Sequence, residues 1–85
     1  PQDWILTLGP RIKNVHLKDY KLSARAEQGR FVELLEGDVD WKAVMAALVQ
    51  TGYQGFIGPE YGADPNDADR LKTLSTLTDR ILSMA

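Results

Sequence analysis

The run Ile12-Lys13-Asn14-Val15-His16-Leu17-Lys18-Asp19 decides the fold, because its side chains alternate in character with a period of two. Val15 and Leu17 fall on one side of an extended chain, while Asn14, His16 and Lys18 fall on the other. The expectation is a strand over 12–18 with an unusual polar face. A second strand is expected over 53–61, with Phe56 and Ile57 at its centre and Gly58-Pro59 weakening its end. Between the two, Trp41, Val44, Met45, Leu48 and Val49 recur at helical spacing behind Asp40 as N-cap, and Gly52 stands where a helix ends in a left-handed residue. Two strands joined through an amphipathic helix form a βαβ unit, whose strands run parallel.

Working outward from that unit, Trp4, Ile5 and Leu8 sit at helical spacing behind Asp3 as a cap, and Gly9-Pro10 ends the segment. Trp4, Met45 and the leucine stripes are assigned to the core. A polar connection over 19–30 follows the first strand and leads into a short extended piece over 31–36 that stops at Gly37-Asp38. A connection of that length inside a compact domain is more often functional than idle. Gly37 is read as allowing a tight backbone turn. The last helix is expected to open with Asp64 as cap and Pro65 at its first position, with Leu71, Leu74, Leu77, Ile81 and Leu82 as its apolar stripe. The predicted order is helix, strand, loop, helix, strand, helix in a single domain over 1–85, without internal repeats.

Composition narrows the partners. At 44% hydrophobic and 26% charged residues the chain has the make-up of a globular domain and not of a disordered one. A net charge of −2, with the basic residues scattered, argues against a nucleic-acid partner. With no cysteine, thiolate metal sites, disulfides and a cysteine nucleophile are excluded from this chain. No apolar run reaches the roughly 18 residues of a membrane span, and Pro1-Gln2-Asp3-Trp4 does not read as an export signal. The expected location is cytoplasmic, with no membrane partner. Because the chain opens on Pro1 and its two strands would leave open edges, a piece of a longer, homo-oligomeric protein is expected.

Two residues stand out chemically. His16, the single histidine, lies toward the C-terminal end of the first strand on its polar face, where an imidazole either binds a metal or substrate oxygen or is simply hydrogen-bonded at a sheet end. Glu60 ends the second strand, where a carboxylate has no packing role; the competing reading is a solvated loop acid. Together they occupy the C-terminal ends of adjacent parallel strands, the edge where ligands bind in α/β sheets. Lys18 and Asp19 either border that site or form ordinary surface. Arg25 and Arg30 are placed in the loop to close on a substrate phosphate, or remain exposed. Trp41 is read as a packing residue.

Three runs, Ile12 to Asp19, Leu35-Glu36-Gly37-Asp38-Val39-Asp40-Trp41, and Gly52-Tyr53-Gln54-Gly55-Phe56-Ile57-Gly58-Pro59-Glu60, resemble in this order the end of the xylose isomerase-like TIM-barrel superfamily. Its members include sugar-phosphate isomerases and epimerases, hydroxypyruvate isomerase, inosose dehydratase and a branch of apurinic endonucleases. The resemblance covers nearly the whole chain. It implies an α/β fold, the C-terminal portion of a (β/α)₈ barrel, with the last two strands and their helices. In that family the histidine of a His-x-Lys-Asp motif and the glutamate ending the eighth strand ligate a divalent metal, which maps onto His16 and Glu60. Carboxylates from the fifth and sixth strands complete the site and have no counterpart here; a barrel has about 250 residues.

The resemblance therefore implies a metal-dependent isomerase or 3-epimerase acting on a small sugar or sugar phosphate through an enediolate. Mn²⁺, Co²⁺, Zn²⁺ or Mg²⁺ would be the cofactor, held by His16 and Glu60, with Glu60 also the catalytic acid or base. Lys18 and Arg25 are the candidate substrate-binding residues. Alternatives are a non-catalytic interaction module, or a metal-dependent endonuclease of the same superfamily. The endonuclease would call for further histidines and a basic groove, neither of which accompanies His16.

Overall fold

The computed structural model describes residues 1–22, 29–60 and 66–85. Helix α1 spans Gln2–Leu8 and gives way to one 3₁₀ turn over Gly9–Arg11. Pro1, not Asp3, holds the N-cap position; Asp3 lies inside the first turn, where a carboxylate still complements the helix dipole. Trp4 is 69% exposed and is not a core residue. Ile5 is the α1 side chain that packs against the core.

Strand β1 covers Val15–Leu17 and pairs in parallel with β4, Ile57–Pro59, in the register Val15 to Ile57, His16 to Gly58 and Leu17 to Pro59. Both strands are shorter than the sequence pattern predicts. One cause is visible before β4: the Tyr53 hydroxyl donates to the Phe56 carbonyl at 2.7 Å, diverting that oxygen from the ladder. The expected centre of the second strand is also corrected, since Phe56 is 92% exposed and Ile57 alone turns inward. With a period of two, adjacent residues cannot share a face.

The polar connection expected over 19–30 holds one unforeseen strand, and the extended piece expected from Phe31 forms most of another. β2, Asp19–Lys21, pairs antiparallel with β3, Arg30–Val32, opposing Tyr20 to Phe31. Residues 23–28, and with them Arg25, lie outside the described residues. The extended piece expected over 31–36 ends at Val32; beyond it the chain turns, and Leu35 adopts φ 73°. A left-handed Leu costs of order 1–2 kcal/mol, so something nearby must hold it.

Helix α2, Trp41–Gln50, follows its pattern closely. The Asp40 carboxylate accepts from the Ala43 N–H at 3.0 Å as a true N-cap. Gly52, at φ 74°, closes the helix. Its N–H reaches the Val49 carbonyl and the Tyr53 N–H the Leu48 carbonyl, the pairing of a Schellman motif. Trp41, Val44, Met45, Ala47 and Leu48 are buried, whereas Val49, expected on the stripe, points to solvent. Helix α3, Ala68–Leu82, is capped by Asp67, whose side chain accepts from the Arg70 N–H. The predicted start at Asp64-Pro65 is thus corrected; those two residues lie outside the described ones. The buried face of α3 is Leu74, Thr78 and Ile81, narrower than expected, with Leu71 and Leu82 largely exposed.

Leu17, Leu34, Trp41, Val44, Met45, Leu48 and Ile81 form the core, with Val15, Ile57 and Leu77 packed on it. Fully burying residues such as Leu17 and Ile81 stabilises by roughly 1.5–3 kcal/mol each. The helices thus cover the Val15 and Leu17 side of the sheet, and the side carrying Asn14, His16 and Lys18 remains exposed.

Candidate active site

Because β1 and β4 run in parallel, their C-terminal ends share one edge. The ladder continues past both strands: the Glu60 N–H donates to the Leu17 carbonyl at 2.9 Å. Glu60 therefore stands level with Lys18, one step beyond the Leu17 to Pro59 pair, and His16 lies opposite Gly58. His16, Lys18 and Glu60 are all exposed. A Cβ built on Gly58 would meet nothing within 4 Å, so the space beside His16 is open. Asn14 Nδ2 lies 3.5 Å from His16 Nε2, at the limit of a hydrogen bond, which leaves the imidazole lightly held.

Two clefts open around these residues. One, of about 530 Å³, is bounded by Lys18, Asp19, Phe31, Glu33, Leu34 and Glu60. The other, of about 420 Å³, runs along β1 between α1 and α2 and brings His16 beside Ile5, Leu8, Val15, Trp41 and Val44. Lys18 borders both. His16 and Glu60 thus share a sheet edge but line different clefts.

Asp19, which borders the first cleft, is a structural hub and not ordinary surface. It is completely buried. Oδ1 accepts from the N–H groups of Tyr20 at 2.9 Å and Val39 at 3.3 Å, and Oδ2 from the Leu35 N–H and the Trp41 indole N–H, both at 2.9 Å. Four donors satisfy a carboxylate that would otherwise be costly to bury. The bond to Leu35 holds the left-handed residue in place. Gly37 also differs from its expected role. A Cβ there would lie 2.1 Å from Asp19 Oδ1, so the residue is glycine because the backbone passes against the carboxylate, not because of a special φ. Asp38 finishes the staple, its N–H donating to the Tyr20 carbonyl at 2.8 Å and its Oδ2 accepting from the Leu22 N–H at 2.6 Å.

The ribbon contributes Phe31. The Lys18 ammonium sits 4.0 Å from the centre of its ring, and Tyr20 meets the ring edge-on at 5.1 Å between centroids. Glu33, just beyond β3, forms a two-pronged ion pair with Arg70 of α3. That hydrogen bonding, helped by the guanidinium charge, holds the Glu33 carboxyl below its ordinary value despite an opposing effect of burial.

An imidazole and a carboxylate are the donor chemistry of a site for Mn²⁺, Co²⁺ or Zn²⁺. Among the described residues, however, no group of three His, Cys, Asp or Glu comes together. His16 and Glu60 fit part of such a site, and no more.

The family model of the xylose isomerase-like TIM barrel matches residues 2–80. The chain belongs to that family, in agreement with its mixed helices and strands and its parallel β1–β4 pair. No curated protein and no solved structure matches it. Among the described residues no helix is long and apolar enough to cross a membrane.

Proposed function

We propose that this chain is the C-terminal part of a (β/α)₈-barrel isomerase or 3-epimerase acting on a small sugar or sugar phosphate, and that it supplies half of a divalent-metal site. The observation that carries this reading is the single edge at which β1 and β4 end, tied by the Glu60 N–H to Leu17 carbonyl bond, with His16 and Glu60 near it. Ligand chemistry in closed parallel barrels takes place at that edge. His16 and Glu60 would hold the ion, with carboxylates of other strands completing its shell. The chemistry such an ion would supply is polarisation of neighbouring carbonyl and hydroxyl oxygens.

The chain's own contribution to the reaction is proton transfer. Glu60 is fixed by its backbone to a strand end, and its side chain is open to solvent, so it is accessible to a substrate C–H. It removes the proton from the carbon next to the carbonyl and, in an isomerisation, returns it to the neighbouring carbon on the same face; in an epimerisation the proton on the opposite face would come from an acid on another strand. Lys18, level with Glu60 on the adjacent strand, contacts substrate hydroxyl or phosphate oxygens. The open edges of the two-stranded β1–β4 sheet support its pairing with further strands or further copies.

The test is Glu60→Gln in the full-length protein, which keeps size but loses basicity. Isomerisation or epimerisation of the sugar should fall by about 10² or more, with substrate binding affected less. Turnover at the wild-type rate would remove Glu60 from the mechanism.

A further inference from the structure

The β2–β3 ribbon places an aromatic side chain at the candidate site without burying it. Phe31 is 61% exposed, an expensive position for a large apolar ring that adds nothing to the core. Its orientation is nevertheless set from two directions: Tyr20 meets it in a T-shaped contact, 77° between planes, and the Lys18 ammonium lies over its face. The ring lines the same cleft of about 530 Å³ as Lys18 and Glu60. Arg70 already engages Glu33, the other acid of that cleft outside the buried hub. The cleft therefore offers a fixed π surface, an ammonium and the Glu60 carboxylate.

From this juxtaposition we infer that Phe31 is a substrate-binding residue, a platform whose ring face, capped by the exposed Lys18 ammonium in the free protein, is taken over by the C–H face of a sugar as Lys18 turns to the sugar's hydroxyl or phosphate oxygens beside Glu60. The inference rests on the proposed sugar reaction and assigns the ribbon a role in it. Sugars present polar edges and a weakly positive C–H face, and the electron-rich face of an aromatic ring complements the second. The contact between Lys18 and the ring is an exposed and therefore weak cation–π pair, so a sugar displaces the ammonium from the ring face at little cost and leaves it beside the sugar's edge.

The experiment is saturation-transfer NMR on the full-length protein with D-fructose and with D-ribulose 5-phosphate as probes, comparing wild type, Phe31→Leu and Phe31→Tyr. Wild type should transfer magnetisation to the sugar C–H protons of at least one probe. Phe31→Leu should raise its Kd about threefold to tenfold, the range expected for losing an aromatic face, and Phe31→Tyr, which keeps the ring, should stay within about twofold. Should Phe31→Leu fail to fold, as judged by circular dichroism, Phe31→Met gives the same comparison. Unchanged affinity in the aliphatic variant would overturn the platform while leaving the Glu60 reaction standing. No transfer from wild type to either sugar would overturn both.

Discussion

The Trp41 indole donates a 2.9 Å hydrogen bond to the carboxylate of Asp19, a residue with no exposed surface. This pair joins the start of β2 to the start of α2, and the same carboxylate gathers the backbone of the intervening turn at Leu35 and Val39. Removing the acceptor strands several buried donors at once, each costing about 1–3 kcal/mol if left unpaired. Asp19→Ala should therefore destabilise the protein by about 3 kcal/mol or more, and Trp41→Phe by about 1–2 kcal/mol. A double-mutant cycle by urea unfolding should show the two effects to be coupled. Additive losses would mean the bond contributes nothing of its own.

Gly37 and Gly58 make a matched pair of tests. Alanine at Gly37 drives a methyl group into Asp19 Oδ1, while alanine at Gly58 meets open space. Gly37→Ala should lower the unfolding midpoint strongly, and Gly58→Ala should leave it nearly unchanged. Comparable midpoints for the two variants would mean that the approach of residue 37 to Asp19 is looser than described.

The Glu33–Arg70 ion pair gives the fold a pH dependence of known sign. The carboxyl is held below its ordinary value of 4.5 in the folded protein, chiefly by the hydrogen bond from Arg70. Its stabilisation is fully present above pH 4.5 and is lost as pH falls through the depressed folded value. For a half-buried pair the size is modest, about 1 kcal/mol at most. Glu33→Gln should flatten this part of the stability profile in urea titrations between pH 6 and pH 3, and an unchanged profile would assign it to other acids.

Much of the fold was legible because its signals are local. Asp40, the 3.6-residue stripe from Trp41 to Leu48 and Gly52 defined α2, and the alternation of Val15, His16 and Leu17 defined β1 and its two faces. Strand lengths were not legible, because they depend on a partner: β4 begins only after Phe56, whose carbonyl Tyr53 engages. Phe31 and Val32 of β3 fell within the extended piece read from the sequence, but β2 and the pairing had no signal, because Asp19–Lys21 joins Arg30–Val32 across a polar segment with no apolar periodicity. Trp4 was placed by helical spacing with Ile5 and Leu8, and Phe56 by its central position in an expected strand, and neither determines burial at the margin of a small sheet. The role of Asp19 had a readable signal. Two residues after Leu17 it falls on the inward face, where an acid must find donors. The placement of Glu60 on the edge shared with β1 followed from parallel pairing, whereas Phe31 gave no signal in the sequence beyond its aromatic character.

The most direct test of the central claim is calorimetric titration of the full-length protein with Mn²⁺, in wild type and in the variants His16→Ala and Glu60→Ala. If the ends of β1 and β4 supply half of one metal site, each substitution should weaken Mn²⁺ binding by more than tenfold, since even loss of a residue supporting a ligand commonly costs 10–100-fold. Asp69→Ala, an exposed change in the first turn of α3, should bind as wild type does. Wild-type affinity in both the His16 and the Glu60 variants would contradict the account, leaving those two residues as ordinary surface groups on a shared sheet edge.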